Sequence, residues 1–305
     1  MQLTSGQLNS LAPVFSPDGK KLYVIGQQSR GELQRYDSKS RESVPYLSGI
    51  SAEFVEFSRD KQWITYVMFP EGTLWRSRPD GSDRLQLTRP PMQAVVPSWS
   101  PDGRQIVFTG LSPRALWRAY VVPSSGGAVQ TVFPEPHNQA MASWSADGTS
   151  ILISYVYYVE STPPDVAVVH LATHKVERMP GTRDLWQAQW SPNGRYVAAK
   201  TDDGHAILLF DSRTKKWMEV AESDVAFLRW SPDGRYLNFR RLGTNKAFVR
   251  VRITDRKVEE VVSLRDIKST GYSGGFWVGF TPENEPLYLR DTGTEEIYAL
   301  DWKAP

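Results

Sequence analysis

The stretch "WSPDGRQIVF" at residues 99–108 decides the fold, because variants of it recur along the whole chain. An aromatic anchor comes first, then a Ser-Pro-Asp-Gly segment, then apolar residues two positions apart. Proline presets φ, aspartate bonds the backbone ahead and glycine accepts a positive φ, so the middle segment predicts a tight turn. Ile106 and Phe108, seven and nine residues after the anchor, predict a β-strand with one buried face.

Seven copies of this unit follow one another at intervals of 40 to 50 residues, which is the period of propeller blades. Their anchors are Phe15, Phe57, Trp99, Trp144, Trp190, Trp230 and Phe280. The same position accepts Trp or Phe, which indicates core packing between blades. Two copies depart from the turn pattern: Lys61 stands in place of glycine in the second, and Asn284 does so in the last.

Two further strand-like segments follow each of the first six copies and one follows the last, so the sequence predicts an all-β, seven-bladed β-propeller of four-stranded antiparallel blades. One domain would cover residues 1–305. The last copy ends after its third strand, whereas "MQLT" (1–4) matches "LQLT" (85–88) in the second copy. Residues 1–6 are therefore expected to complete the C-terminal blade, which would leave no open edge. The expected blades span about 7–49, 50–90, 91–135, 136–181, 182–221, 222–263, and 264–305 with 1–6.

The repeat resembles that of TolB-type β-propellers, and "PSWSPDGRQIVF" (97–108) is its clearest copy. This resemblance covers essentially the whole chain. It implies a bacterial envelope setting and a protein or peptide partner. Similar propellers also form parts of bacterial winged-helix regulators, where they are thought to sense signals. We therefore expect the chain to be a piece of a longer polypeptide.

The composition excludes several classes of protein. Thirty-six basic and 34 acidic side chains give a formal net charge of +2, which argues against a dedicated nucleic-acid binder. The absence of cysteine excludes disulfides and thiolate metal sites. No run of about 18 apolar residues exists, so membrane insertion is not expected. A periplasmic or other extracytoplasmic location is expected from the resemblance, with the cytoplasm as the alternative.

The segment "GYSGG" (271–275) fits the Gly-x-Ser-x-Gly pattern of hydrolases that use a serine nucleophile. That role for Ser273 needs a helix after the serine and a histidine downstream, yet no histidine follows His205. "FWVGF" (276–280) instead predicts the innermost strand of the last blade. The glycines are therefore interpreted as part of a loop at the channel mouth.

Loops that enter the innermost strands, and loops between second and third strands, should gather on one face of a propeller. Arginine and aromatic residues there are typical of binding surfaces. The alternative is that Trp186 and Trp277 only fill the channel. The predicted ligand contacts are Arg89, Gln93, Arg114, His137, Gln139, Tyr158, Trp186, Gln187, Tyr272 and Trp277.

No cofactor, metal site or catalytic group is predicted. Of four histidines only His137 lies near an expected channel strand, and a metal site needs several clustered ligands. The repeated aspartates, such as Asp102, are better explained by turn formation than by a carboxylate ring. The sequence therefore predicts a non-catalytic binding or sensory module that engages a protein, a peptide or a small polar ligand. It would be a monomeric propeller. The alternative is a lyase- or hydrolase-type enzyme with its site in the channel.

Overall fold

A computed structural model of the protein describes residues 9–113, 115–133, 137–155, 164–272, 274–275 and 277–302. Within these ranges, 27 strands form seven antiparallel sheets, and one short 3-10 turn spans Leu47–Gly49. Six sheets have four strands and one has three. No helix in these ranges combines the length and the apolar character that a membrane crossing requires.

The strands, numbered in chain order, have these bounds. The first four are β1 (Asn9–Phe15), β2 (Lys21–Gln28), β3 (Gly31–Asp37) and β4 (Glu42–Pro45). Five complete sheets follow. They are β5 (Ala52–Phe57), β6 (Ile64–Met68), β7 (Thr73–Ser77) and β8 (Leu85–Gln86); β9 (Gln93–Trp99), β10 (Gln105–Leu111), β11 (Arg118–Pro123) and β12 (Gln130–Thr131); β13 (Gln139–Trp144), β14 (Ser150–Tyr155), β15 (Asp165–His170) and β16 (Val176–Arg178); β17 (Leu185–Trp190), β18 (Tyr196–Thr201), β19 (Ala206–Asp211) and β20 (Lys216–Glu222); and β21 (Val225–Trp230), β22 (Tyr236–Arg241), β23 (Ala247–Arg252) and β24 (Val258–Ser263). The last three are β25 (Gly279–Phe280), β26 (Pro286–Asp291) and β27 (Thr294–Asp301).

The all-β propeller of antiparallel sheets that the seven repeats predict is confirmed. The predicted closure is wrong. Strands β25 and β26 pair with β3 and β4, so the first repeat already fills the positions assigned to residues 1–6. Strand β27 pairs with β2 in the three-stranded sheet β1-β2-β27. The first and last repeats have thus exchanged their third strands. Residues 1–6 themselves lie outside the described ranges.

Six sheets surround a central channel, and their innermost strands are β5, β9, β13, β17, β21 and β25. The anchors of these six strands line a single cavity, whereas the β1 anchor, Phe15, is 53% exposed. Apolar side chains from adjacent sheets form the buried core between them. The sheet β1-β2-β27 flanks this ring and keeps large apolar side chains, including Val14 and Ile297, in solvent.

Three of the four anchor tryptophans join neighbouring sheets through their indole nitrogens. Nε1 of Trp99 donates to the carbonyl of Glu56 over 3.1 Å, and Nε1 of Trp144 donates to the carbonyl of Ser98 over 3.2 Å. Nε1 of Trp230 donates to the carbonyl of Gln189 over 3.2 Å. In each case the acceptor directly precedes the anchor of an earlier sheet. The anchors therefore supply a directional bond as well as apolar area.

The Ser-x-Asp segments after the anchors are hydrogen-bonded turns, as predicted. In the third repeat, the Ser100 hydroxyl donates to Asp102 over 2.6 Å, and the Arg104 amide donates to the same carboxylate oxygen over 3.0 Å. The hydroxyl bond and the amide bond lower the pKa of Asp102. Lys61 and Asn284 adopt φ of 60° and 65°, so both departures from glycine keep the turn conformation.

Candidate functional site

The channel is narrowed by a bulge that recurs in its innermost strands. In β5, β9, β13, β17 and β21 the pairing register shifts near the middle of the strand. The residue three positions before each anchor takes a positive φ, which is uncommon for residues other than glycine. These residues are Phe54, Val96, Met141, Gln187 and Phe227, with φ between 49° and 55°.

The apolar bulge residues meet across the channel. The Phe54 ring lies 6.0 Å from the Phe227 ring and 6.2 Å from the Trp277 ring. Phe54 and Phe227 lie in different sheets, and Trp277 precedes β25 of a third. Val96 and Met141 pack in the same cluster. We call Phe54, Val96, Met141, Phe227 and Trp277 the channel plug. The plug divides the channel into a loop face, where the chain enters the innermost strands, and a turn face, where the Ser-x-Asp turns lie.

On the loop face, the segment "GYSGG" places Tyr272 over the plug. The Tyr272 backbone amide donates to the Glu53 carboxylate, and its hydroxyl donates to Oε1 of Gln93. Its ring meets Trp117 edge-on at 6.5 Å. Gly271 has a φ of 134°, and a Cβ there would collide with Glu53. The positive φ and the closeness of the Glu53 carboxyl group therefore both favour glycine at this position. Ser273 lies outside the described residues.

Glu53 is a carboxyl group with no solvent exposure. Burial raises its pKa to about 8, and the hydrogen bond from the Tyr272 amide opposes that rise only in part. Oε2 of Glu53 has no hydrogen-bond partner within the described part of the chain. The group is thus largely protonated at neutral pH beneath the Tyr272 loop.

Five of the predicted contacts fall into two clusters. Gln93 and Tyr272 are hydrogen-bonded to each other, and Trp277 packs in the same apolar cluster. Trp186 and Gln187 follow one another in β17. Nζ of Lys200 lies 4.6 Å from the Trp186 ring centroid, and burial lowers the pKa of this lysine to about 8.

The other predicted contacts are dispersed. Arg89 is exposed on the loop that enters β9. The Gln139 side chain accepts from the Ala119 amide over 3.2 Å and donates to the Phe133 carbonyl over 3.0 Å, so it ties strands together. The His137 ring stands edge-on to Tyr155 at 6.1 Å. Arg114 and Tyr158 lie outside the described residues. A ligand-binding role for these ten residues stays a prediction.

The turn face holds a cavity of about 320 Å3, here called the turn-face cavity. The residues that directly precede the anchors form its deeper wall, next to the plug. They are Glu56, Ser98, Ser143, Gln189, Arg229 and Gly279. Nη2 of Arg229 lies 3.7 Å from Oε2 of Glu56, which is beyond hydrogen-bonding distance. Burial raises the pKa of Glu56, and the charge of Arg229 acts against that rise.

Sequence reasoning missed this wall because it considered only the loops. A usable signal was present, because the position before the anchor is polar or glycine in all six channel strands. The alternation of residues along a strand does not by itself show that these six positions face one cavity. Glu53 and Trp117 were also missed as site residues, because their contacts with Tyr272 do not follow from the sequence. Among the described residues, no group of three or more His, Cys, Asp or Glu side chains is arranged to hold a metal ion.

The fold is a TolB-like β-propeller. No family model matches the chain. The structure of a putative TolB from Agrobacterium tumefaciens superposes with a TM-score of 0.69 at 16% identity, over 86% of this chain and 98% of that one. The nidogen/laminin complex contains a chain with a TM-score of 0.62 at 10% identity, over 78% of this chain and 92% of that one.

Proteins named as enzymes are also similar. Oligogalacturonate lyase in complex with manganese superposes with a TM-score of 0.53 at 14% identity, over 95% of this chain and 83% of that one. The uncharacterized peptidase YuxL of Bacillus subtilis strain 168 is 24% identical over 191 residues. That match covers 63% of this chain but only 28% of the peptidase.

Proposed function

We propose that this propeller is a non-catalytic binding or sensory module of a larger bacterial protein and that it engages a protein or peptide at the loop face. The observation that carries the proposal is the cluster of Tyr272, Gln93 and Trp117 above the plug. Partly exposed aromatic and amide groups on a rigid base are characteristic of binding hot spots. The TolB-like fold and the nidogen/laminin neighbour support a protein partner.

The wider setting of the module follows from the same fold. We place it in the periplasm or another extracytoplasmic space, as a monomeric single domain covering residues 1–305. The near-balanced charge of +2 fits a partner recognised by shape and hydrogen bonds more than by net charge. Because the plug closes the channel beneath Tyr272, the partner would bind the mouth and would not thread through.

The proposal is tested by selecting binders from a random peptide library displayed on phage against the wild-type chain. Enriched peptides are then titrated against Arg89→Ala, Trp117→Ala and, as a matched control on the turn face, Arg104→Ala. The Arg104 side chain is 86% exposed and makes only a distant contact of 3.9 Å to Asp102. We expect the two loop-face variants to weaken binding and the control to leave it unchanged. Peptides that lose affinity only for the control variant contradict a loop-face site.

Catalysis is the second candidate, and one observation favours it. Glu53 is a buried carboxyl with a pKa of about 8, and carboxyls held protonated near neutral pH act as general acids in enzymes. The similarity to oligogalacturonate lyase supplies a substrate to try. Turnover of oligogalacturonate with added manganese, lost in Glu53→Gln, would replace the binding proposal. A manganese-dependent reaction unaffected by that change would exclude Glu53 as the acid.

A further inference from the structure

We propose that the turn-face cavity binds a small monocarboxylic acid with an apolar body. The site is separate from the loop face, since the channel plug lies between them. Its volume of about 320 Å3 falls at the lower end of the range usual for small-molecule pockets. A molecule of this size would enter between the Ser-x-Asp turns and stop at the plug.

The charge of the wall favours an anion. Three cationic side chains, Arg59, Lys61 and Arg229, line the cavity together with one carboxyl, Glu56. Lys61 also lies 3.9 Å from Glu283, but that pair is exposed and is worth little. Arg229 is the cation of the deeper wall, and only 14% of its side chain is exposed.

Two buried donors in this wall have no hydrogen-bond partner within the described part of the chain. They are Nη2 of Arg229 and the hydroxyl of Ser143, a residue that is 8% exposed. Buried polar groups are normally hydrogen-bonded, and leaving one unpaired is unfavourable. A bound carboxylate has two acceptor oxygens to offer donors in this wall, and a guanidinium binds carboxylates especially well.

Glu56 does not prevent this arrangement. It lies too far from Arg229 to occupy the guanidinium with a hydrogen bond. Burial also raises the pKa of Glu56, which favours the neutral form that tolerates a second carboxylate nearby. Arg229 is therefore a cation in this wall that forms no hydrogen bond with its nearest carboxyl group, Glu56.

The turns around the cavity also supply apolar side chains, which would contact the remainder of the ligand. Pro101, Pro192, Pro232 and Pro282 line the cavity, one from each of four Ser-Pro or Thr-Pro turns. The anchor tryptophans add aromatic surface below them. A hydrocarbon or phenyl group would bury itself here while the carboxylate reaches the deeper wall.

Isothermal titration calorimetry with benzoate and hexanoate tests the proposal, with benzyl alcohol and sulfate as comparators. We expect saturable binding of at least one of the two acids, at least about tenfold tighter than binding of the alcohol or of sulfate. Arg229→Gln should weaken acid binding by about tenfold or more, whereas Arg235→Gln, an exposed arginine outside the cavity lining, should not change it.

Glu56→Gln provides a reading that does not depend on the arginine variant folding. Glu56 competes for Arg229 only in its charged form, so Glu56→Gln should tighten binding of the acid or leave it unchanged, and should not weaken it. No saturable binding of either acid, equal binding of the alcohol, equal binding of sulfate, or weaker acid binding in Glu56→Gln would each overturn the proposal.

Discussion

The Tyr272 backbone amide donates a hydrogen bond to Glu53, a carboxyl group that is fully buried in the innermost strand β5. The contact spans 219 residues of sequence and joins the loop before the last channel strand to the second repeat. A carboxyl group this deep favours its protonated form. The loop over the plug is therefore held by a group whose charge depends on pH.

Glu53→Gln should remove a pH-dependent loss of stability. Because burial raises the pKa of Glu53 from 4.5 to about 8, the folded chain keeps a proton that the unfolded chain releases between these values. The stabilising effect of the raised pKa is complete below pH 4.5 and is lost as pH rises toward 8. At about 1.4 kcal/mol per pKa unit, the free energy of unfolding of wild type should fall by up to about 5 kcal/mol across this window. We expect that of Glu53→Gln not to show this fall.

Urea unfolding at about pH 5 and pH 8 measures this difference. Glu71→Gln, an exposed glutamate on the β6–β7 loop, is the matched control and should follow wild type. If Glu53→Gln loses as much stability as wild type between the two pH values, the buried carboxyl is not the source of the loss.

Trp144→Phe should destabilise the ring by about 1 kcal/mol, because it removes the indole bond to the Ser98 carbonyl while it keeps an aromatic anchor. Trp144→Ala should cost about 3–5 kcal/mol, since it also leaves a cavity between two sheets. Chemical denaturation followed by far-UV circular dichroism measures both. Trp302→Phe, whose ring contacts Phe15 on the flanking sheet, is the control. If Trp144→Phe lowers the free energy of unfolding as much as Trp144→Ala does, the shape of the indole ring and not the hydrogen bond determines the stability.

Replacing the turn aspartates 60, 102 and 147 by asparagine should reduce the sensitivity of the fold to acid. Hydrogen bonds from serine hydroxyls, and then from backbone amides, lower the pKa of all three carboxyl groups. Such groups stabilise the fold above their unfolded pKa of 3.8, and that contribution is lost as pH falls through the lower folded values.

The fifth repeat shows that asparagine fits this turn. Ser191 donates to Oδ1 of Asn193 over 2.8 Å, and the Arg195 amide donates to the same atom over 3.0 Å. We expect the free energy of unfolding of the triple variant to fall less than that of wild type between about pH 5 and pH 3. Asp266→Asn, an exposed site, is the control. An equal fall in both proteins would contradict a role of these turns in acid unfolding.

The strand exchange can be tested with cysteines, since the chain has none of its own. Gln27 lies opposite Glu295 in the β2–β27 pair, at a separation that a disulfide can span. We expect Gln27→Cys with Glu295→Cys to form an intramolecular disulfide under mild oxidation, detected by mass spectrometry.

The matched control is Gln27→Cys with Glu32→Cys. An ordinary hairpin of the first repeat would place these two residues opposite each other, whereas Glu32 pairs with Arg290 in the structure. Cross-linking of the control pair in place of the first pair would restore the closure that the sequence predicts.

The candidate sites were predictable only in part. Gln93, Tyr272 and Trp277 stand on segments whose place at the channel mouth follows from the repeat, because each segment leads directly into an anchor. Glu53 and Arg229 also stand shortly before anchors, but nothing in the sequence shows that their charges are buried. Each is a single charged residue within a strand, and its burial depends on side chains from other sheets that approach across the channel.

The sequence alone determined the repeat unit, the anchors and the turns, because these depend on residues a few positions apart and on a two-residue alternation. Only the tertiary structure decided which third strand joins which sheet. Strands β3 and β27 both satisfy the same alternation, so local patterning does not distinguish a partner in the same repeat from one at the other end of the chain. The structure likewise decided where charge is buried, because burial depends on which of the sheets close around the channel.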